Sequence, residues 1–217
     1  MISLLDNYRQ LMTSLRKTAG NSHRQMPQLM AVSKAQSIEN LDVLLSEGHR
    51  LFGENRVQEA LQKWPLLKEK YPDCKLHLIG QLQTNKVSQA VRLFDVIETL
   101  DRPSLAVELA NVYQKLQIRR PLLIQINTGR EPQKAGILPE DFEGFLQMTR
   151  ALELPIVGLM CVPPANEEPI SHFAYLCSVA KRYELPYLSM GMSHDYKIAI
   201  EYDTSWVRIG TALFGQR

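Results

Sequence analysis

The feature that most restricts the fold of this chain is a repeated alternation. Short apolar runs recur at 29–33 (LMAVS), 50–53 (RLFG), 75–80 (KLHLIG), 95–99 (DVIET), 121–127 (PLLIQIN), 156–160 (IVGLM), 187–190 (YLSM) and 206–210 (WVRIG), with helix-patterned stretches between them. Unbroken apolar runs of this length are what strands covered on both faces look like. Strand and helix in strict alternation give a parallel α/β sheet. Eight strands favour closure into a (β/α)8 barrel. An open doubly wound sheet, usual with fewer strands, is the alternative. The shortest runs, the second and the seventh, decide between the two.

The intervening stretches carry helix punctuation. Glu39 follows Ser37 near the start of 37–47, "DRPS" opens 103–117, and 139–151 has a proline and acids in its first turn. At the N-terminus, Ile2, Leu4, Leu5, Tyr8, Leu11, Met12 and Leu15 fall near helical spacing, with Arg9, Gln10, Arg16 and Lys17 between them. This reads as an amphipathic helix preceding the barrel. Asp6 and the lack of a clean apolar stretch argue against a signal peptide. No linker, low-complexity segment or internal repeat divides the chain, so residues 1–217 are read as one domain.

Composition narrows the function classes. With a formal charge of +2 and no basic run, nucleic acid is not an expected partner. No apolar stretch approaches the roughly 20 residues of a membrane span. Cys74, Cys161 and Cys177 form no C-x-x-C pair, as expected of reduced thiols in a cytoplasm. The five histidines show no zinc spacing, and no metal is expected.

In a (β/α)8 barrel the chemistry lies at the C-terminal strand ends. The first strand there runs into Lys34, the seventh into "SMGMSHD" and the eighth into "RIGTALFG". The last two are glycine-containing turns with hydroxyls that lead into helices. Such turns bind anions, and barrels often hold phosphate after strands seven and eight. Ser189, Gly191, Ser193, Gly210 and Thr211 are the candidates; ordinary turn and capping chemistry is the plain alternative. An amine attacks a carbonyl only when unprotonated, which desolvation and nearby positive charge favour. A phosphate site beside an inward lysine therefore suggests a Schiff base with a phosphorylated aldehyde. Pyridoxal 5'-phosphate (PLP) fits, and so does a phosphorylated sugar in a class I aldolase. The plain alternative is a rim lysine with a solvated amine; Lys86 and Lys134 are rivals in polar segments. Arg208, inside the eighth strand, needs an acceptor or a charge partner if it faces the interior. A pyridine nitrogen is one; Glu54, as an ion-pair partner, is the other.

The segments "AVSK", "FGENRVQE", "HLIGQLQTNK", "QINTGREPQKAGI", "GLM", "LSMGMSHDY" and "VRIGTALFG", in order from about residue 29 to 215, resemble the pyridoxal phosphate homeostasis proteins. The fold of that family is similar to the N-terminal barrel of alanine racemase. The resemblance implies that Lys34 forms the Schiff base with PLP and that Arg208 faces the pyridine nitrogen. It implies phosphate contacts from Ser189, Gly210 and Thr211, and places Asn55 and His77 near the ring. Departures are small: Leu76 and Leu78 flank the histidine where aromatics are common, and Arg56 stands where a tyrosine is common. Alanine racemase also has a C-terminal β domain and a second catalytic base; with "GTALFG" so near the end of the sequence, neither is expected here. The expectation is thus a cytoplasmic, monomeric PLP holder in vitamin B6 and amino-acid homeostasis, without significant turnover, with PLP-accepting apoenzymes as further partners. A PLP-dependent racemase is the alternative.

Overall fold

The computed structural model describes residues 3–215. Ile2, counted in the predicted N-terminal face, lies outside the described residues. All eight predicted strands form: β1 Gln28–Val32, β2 Leu51–Glu54, β3 Lys75–Leu78, β4 Val96–Leu100, β5 Leu122–Ile126, β6 Ile156–Cys161, β7 Tyr187–Ser189 and β8 Trp206–Ile209. They pair in sequence order, all parallel, and the sheet closes through β1 and β8, with Gln28 opposite Trp206 and Ala31 opposite Ile209. The two shortest runs are both strands, so the open-sheet alternative falls away.

The helices wrap the outside: α1 Leu4–Asn21, α2 Ile38–Ser46, α3 Val57–Lys70, α4 Val87–Leu93, α5 Pro103–Leu116, α6 Phe142–Ala151, α7 Ile170–Arg182, α8 Tyr196–Glu201 and α9 Thr211–Phe214. The helix after β8 has only four residues. The extra N-terminal helix α1 fills the outer layer there. Its start is secured by a capping box, in which the Ser3 hydroxyl accepts from the Asp6 N–H and the Asp6 carboxylate accepts from the Ser3 N–H. Its apolar stripe, Leu11, Leu15 and Ala19, is buried. Asn7 Nδ2 donates to the Leu213 carbonyl at 3.1 Å, and the hydroxyls of Ser14 and Tyr196 meet at 2.9 Å, tying α1 to α9 and α8.

Most of the core lies between sheet and helices. A separate apolar cluster of Met30, Leu51, Leu123, Met160 and Trp206 fills the barrel lumen. Gly53 makes room in that lumen, since a Cβ there would sit 2.8 Å from Met30 Sδ and 2.9 Å from Ile79 Cδ1. The two-residue period of a strand then aims the mouth. Met30 and Val32 lead to Lys34, Leu51 and Gly53 to Asn55, and Trp206 and Arg208 to Gly210.

Candidate functional site

At the C-terminal ends of the strands lies a cavity of about 330 Å³, a size within the usual range for a small-molecule site. Six of the nine residues singled out from the sequence line it: Lys34, Asn55, Ser193, Arg208, Gly210 and Thr211. Val32, Ile79, Val162 and Met192 add apolar wall, and His194 stands at the rim. Those five were not foreseen; the two-residue phase of β1 and β3 would have found Val32 and Ile79. A larger, mostly apolar hollow of about 560 Å³ lies at the opposite end, among the first residues of β1, β2, β3, β4 and β8. Barrels of this type carry their chemistry at the other face, where Lys34, Arg208, Asn55 and the hydroxyls of Ser193 and Thr211 share one cavity.

Lys34 is half-buried and follows β1 in a turn closed by the Gln36 N–H bond to the Ser33 carbonyl at 3.1 Å. Of its rivals, Lys86 ends the 3-10 turn Thr84–Lys86, and Lys134 is tied to Glu131 and to the Pro163 carbonyl. Asn55 leaves β2 half-buried. The Ser193 hydroxyl accepts from the Ala212 N–H at 3.3 Å, joining the loop after β7 to the start of α9. Gly191 shapes that loop: its φ is +92°, and a Cβ would lie 2.6 Å from that of Ala199. Its carbonyl accepts from the Arg208 N–H at 2.9 Å.

Arg208 is 4% exposed. Its Nη1 donates to Ser189 Oγ and its Nη2 to the Cys161 carbonyl, each at 2.7 Å. Ser189 in turn donates to Glu98 Oε2 at 2.6 Å, and Glu98 Oε1 accepts from His77 Nδ1 at 2.7 Å. His77 also packs edge-on against Trp206, with ring centroids 5.0 Å apart. Ser189 and His77 therefore sit within the lumen on the far side of the guanidinium from the cavity lining, linked through Glu98. Burial pushes the Cys161 thiol up to about 12, so this buried cysteine stays protonated and inert.

The alternative pairing of Arg208 with Glu54 is not what forms. Glu54 points out of the barrel toward α3, where it accepts from Ser33 and Trp64 and pairs with Lys63 at 2.7 Å. Adjacent strand residues face opposite sides, so Asn55 enters the mouth and Glu54 cannot. Among the described residues, no group of three or more His, Cys, Asp or Glu is placed to hold a metal ion, and no helix is long and apolar enough to cross a membrane.

The closed eight-stranded parallel barrel is of the alanine racemase N-terminal class: the family model "Alanine racemase, N-terminal domain" matches residues 4–217. A protein of Aquifex aeolicus described as pyridoxal phosphate homeostasis protein is 39% identical over 201 residues, covering 87% of this chain and 86% of that protein. The structure of PipY of Synechococcus elongatus PCC7942 without PLP superposes with a TM-score of 0.88 at 33% identity, covering 98% of this chain and all of that one. The same protein with PLP bound gives 0.83 at 31% identity and the same coverage. The chain belongs to the pyridoxal phosphate homeostasis protein family.

Proposed function

We propose that this chain binds PLP in the barrel-mouth cavity, holds it as a Schiff base on Lys34, and serves cellular PLP and amino-acid homeostasis as a holder of the cofactor. The observation that carries the reading is the convergence of Lys34, Arg208 and the Ser193–Gly210–Thr211 corner on one cavity of about 330 Å³. The PLP-bound relative of the same fold supports it.

The residues suit such a ligand. Val32, Ile79, Val162 and Met192 offer apolar faces for a flat ring. Arg208 has five N–H donors, and its bonds to Ser189 and Cys161 leave others for a ring nitrogen. A donor-only group there keeps that nitrogen unprotonated. The hydroxyls of Ser193 and Thr211, with the backbone at Gly210, are given the phosphate, and Asn55 the ring substituents. Ser189 and His77, expected beside the ligand, take a supporting role: with Glu98 they hold Arg208 from within the lumen. PLP, when bound, supplies an electrophilic aldehyde; the chain supplies an amine, an enclosing wall and a guanidinium that weakens the ring as an electron sink.

The test is spectroscopic. The purified protein incubated with PLP should turn yellow, lose the colour on borohydride reduction, and carry the reduced adduct on Lys34; Lys34→Ala should stay folded and colourless. A colourless wild type would refute the reading. The racemase-like reading, favoured by the family model, is separated by α-carbon deuterium exchange on alanine in heavy water. Exchange on the order of 1 s⁻¹ or faster would establish it over the holder.

A further inference from the structure

The turn that presents Lys34 is gripped on both sides by groups of α3. Lys63, 7% exposed, directs its ammonium to three acceptors. These are the Ser33 carbonyl at 2.9 Å, Glu59 Oε1 at 2.8 Å and Glu54 Oε1 at 2.7 Å. The first two are hydrogen bonds donated by the ammonium, and the third is an ion pair. Glu59 Oε1 also accepts the Ala35 N–H at 2.5 Å. The peptide units on either side of Lys34 are therefore held by one ion pair, Glu59 and Lys63, one turn apart on α3. The Ser33 side chain is fixed as well, by Glu54 at 2.7 Å and the Gly53 carbonyl at 3.2 Å.

The grip has something to hold. Ala35 has a φ of +57°, a left-handed conformation disfavoured for a residue with a Cβ. A residue left in that conformation persists only where its surroundings impose it. Here the imposition is visible in the Glu59 bond to its N–H and the Lys63 bond to the Ser33 carbonyl two residues before it. Release of either lets the turn relax, and the Lys34 side chain leaves the phase that carries Met30 and Val32 into the barrel.

We propose that Glu59 and Lys63 are positioning residues for Lys34: an ion pair between a buried lysine and a half-buried glutamate that holds the strained 33–35 turn, and thereby sets how firmly the chain retains an aldehyde ligand as a Schiff base. The inference rests on the reading of Lys34 as the Schiff-base lysine. It also gives the acidic residues of the "GENRVQE" segment a role, since Glu54 and Glu59 both act on Lys63 and the turn.

The experiment compares two ligands that differ only at the reacting carbon. PLP forms the Schiff base with loss of one water. Pyridoxine 5'-phosphate, an alcohol at that carbon, binds the same cavity without a covalent bond. Dissociation constants for both are measured on the full chain, by absorbance for PLP and by calorimetry for the alcohol. Glu59→Ala and Lys63→Met should each raise the PLP constant about ten-fold or more, as for loss of a charge-assisted hydrogen bond. The alcohol should change less than about two-fold. Glu59→Gln keeps an oxygen acceptor for the Ala35 N–H and should recover most of the PLP affinity. Glu59 is partly exposed, so its variants test the proposal even if Lys63→Met does not fold. PLP affinity unmoved in Glu59→Ala, or equal losses for the two ligands, would overturn the proposal alone. A wild-type adduct on another lysine would overturn the reading of Lys34 and this proposal with it.

Discussion

Arg208 donates from Nη1 to the Ser189 hydroxyl at 2.7 Å, and that hydroxyl donates onward to Glu98 at 2.6 Å. The direction is fixed because a guanidinium cannot accept. A buried positive charge is thus linked to a buried carboxylate through one hydroxyl, and His77 closes the far side of the carboxylate. Buried charges survive when compensated and hydrogen-bonded; this chain of bonds compensates the guanidinium, satisfies two of its donors and leaves others for the cavity.

Ser189→Ala breaks both bonds at once. It leaves Glu98 Oε2 without its donor and frees Nη1 of Arg208. The expected cost is ~1–3 kcal/mol of stability, the range for unsatisfied buried polar groups, measured by denaturant unfolding. The absorbance of bound PLP should shift in the same direction as in Arg208→Ala, because both disturb what faces the ring. An unchanged spectrum in Ser189→Ala would count against the lumen network as the support of Arg208.

Gly80 sits against the backbone of Asn55, and a Cβ there would collide with the Asn55 carbonyl oxygen and Cα. Backbone cannot yield as a flexible side chain can. Gly80→Ala should therefore cost about 1–3 kcal/mol, the usual penalty of overpacking, and weaken PLP by displacing Asn55. Thermal unfolding and a PLP titration on the same sample check both halves.

The barrel was legible in the chain because strands buried on both faces leave unbroken apolar runs, and eight of them with helices between admit few folds. Lys34 was legible because the first apolar run ends on it, and the structure adds that it continues the inward phase of Met30 and Val32 into the cavity. The lumen network was less so. Glu98 stands in the "DVIET" run as an acid among apolar residues, a visible signal, but its partners Ser189 and His77 come from other strands, and barrel stagger sets which residues meet. Ser189 lies inside β7 rather than in the loop beyond, so its hydroxyl meets Arg208 and Glu98 instead of the Ser193 corner. The Glu59–Lys63 spacing announces a helical ion pair. That its lysine also reaches the Ser33 carbonyl on another element is long-range information that no local pattern holds.

His49 gives a pH test of stability. It is buried, its ring lies edge-on to Tyr8 and Phe52, and its Nε2 is bonded to the Leu51 carbonyl at 2.7 Å. Burial holds its pKa down to about 4, against an ordinary 6.5. The unfolded chain then binds the extra proton between these values, so the stabilising contribution is present above pH ~6.5 and is lost as pH falls toward 4. At about 1.4 kcal/mol per pKa unit, the loss is up to roughly 3 kcal/mol. Unfolding free energies measured from pH 7 to 4 should fall over that window, and His49→Leu should flatten this part of the slope.

Thr211→Ala tests the phosphate corner. Thr211 is exposed at the first position of α9, so its hydroxyl adds little to the core, and the variant should unfold like the wild type. If hydroxyls and backbone at Ser193, Gly210 and Thr211 share the phosphate, loss of one hydroxyl should cost ~1–3 kcal/mol, the range for a charge-assisted hydrogen bond. That is about ten-fold or more in PLP affinity, with tenfold per 1.4 kcal/mol. Pyridoxal, which has the aldehyde and the ring but no phosphate, should bind Thr211→Ala and wild type alike. Arg208→Ala should weaken both ligands, because its proposed partner is the ring they share. Equal losses of PLP and pyridoxal affinity in Thr211→Ala would place the phosphate elsewhere in the cavity and leave the loops after β7 and β8 with turn and capping chemistry alone.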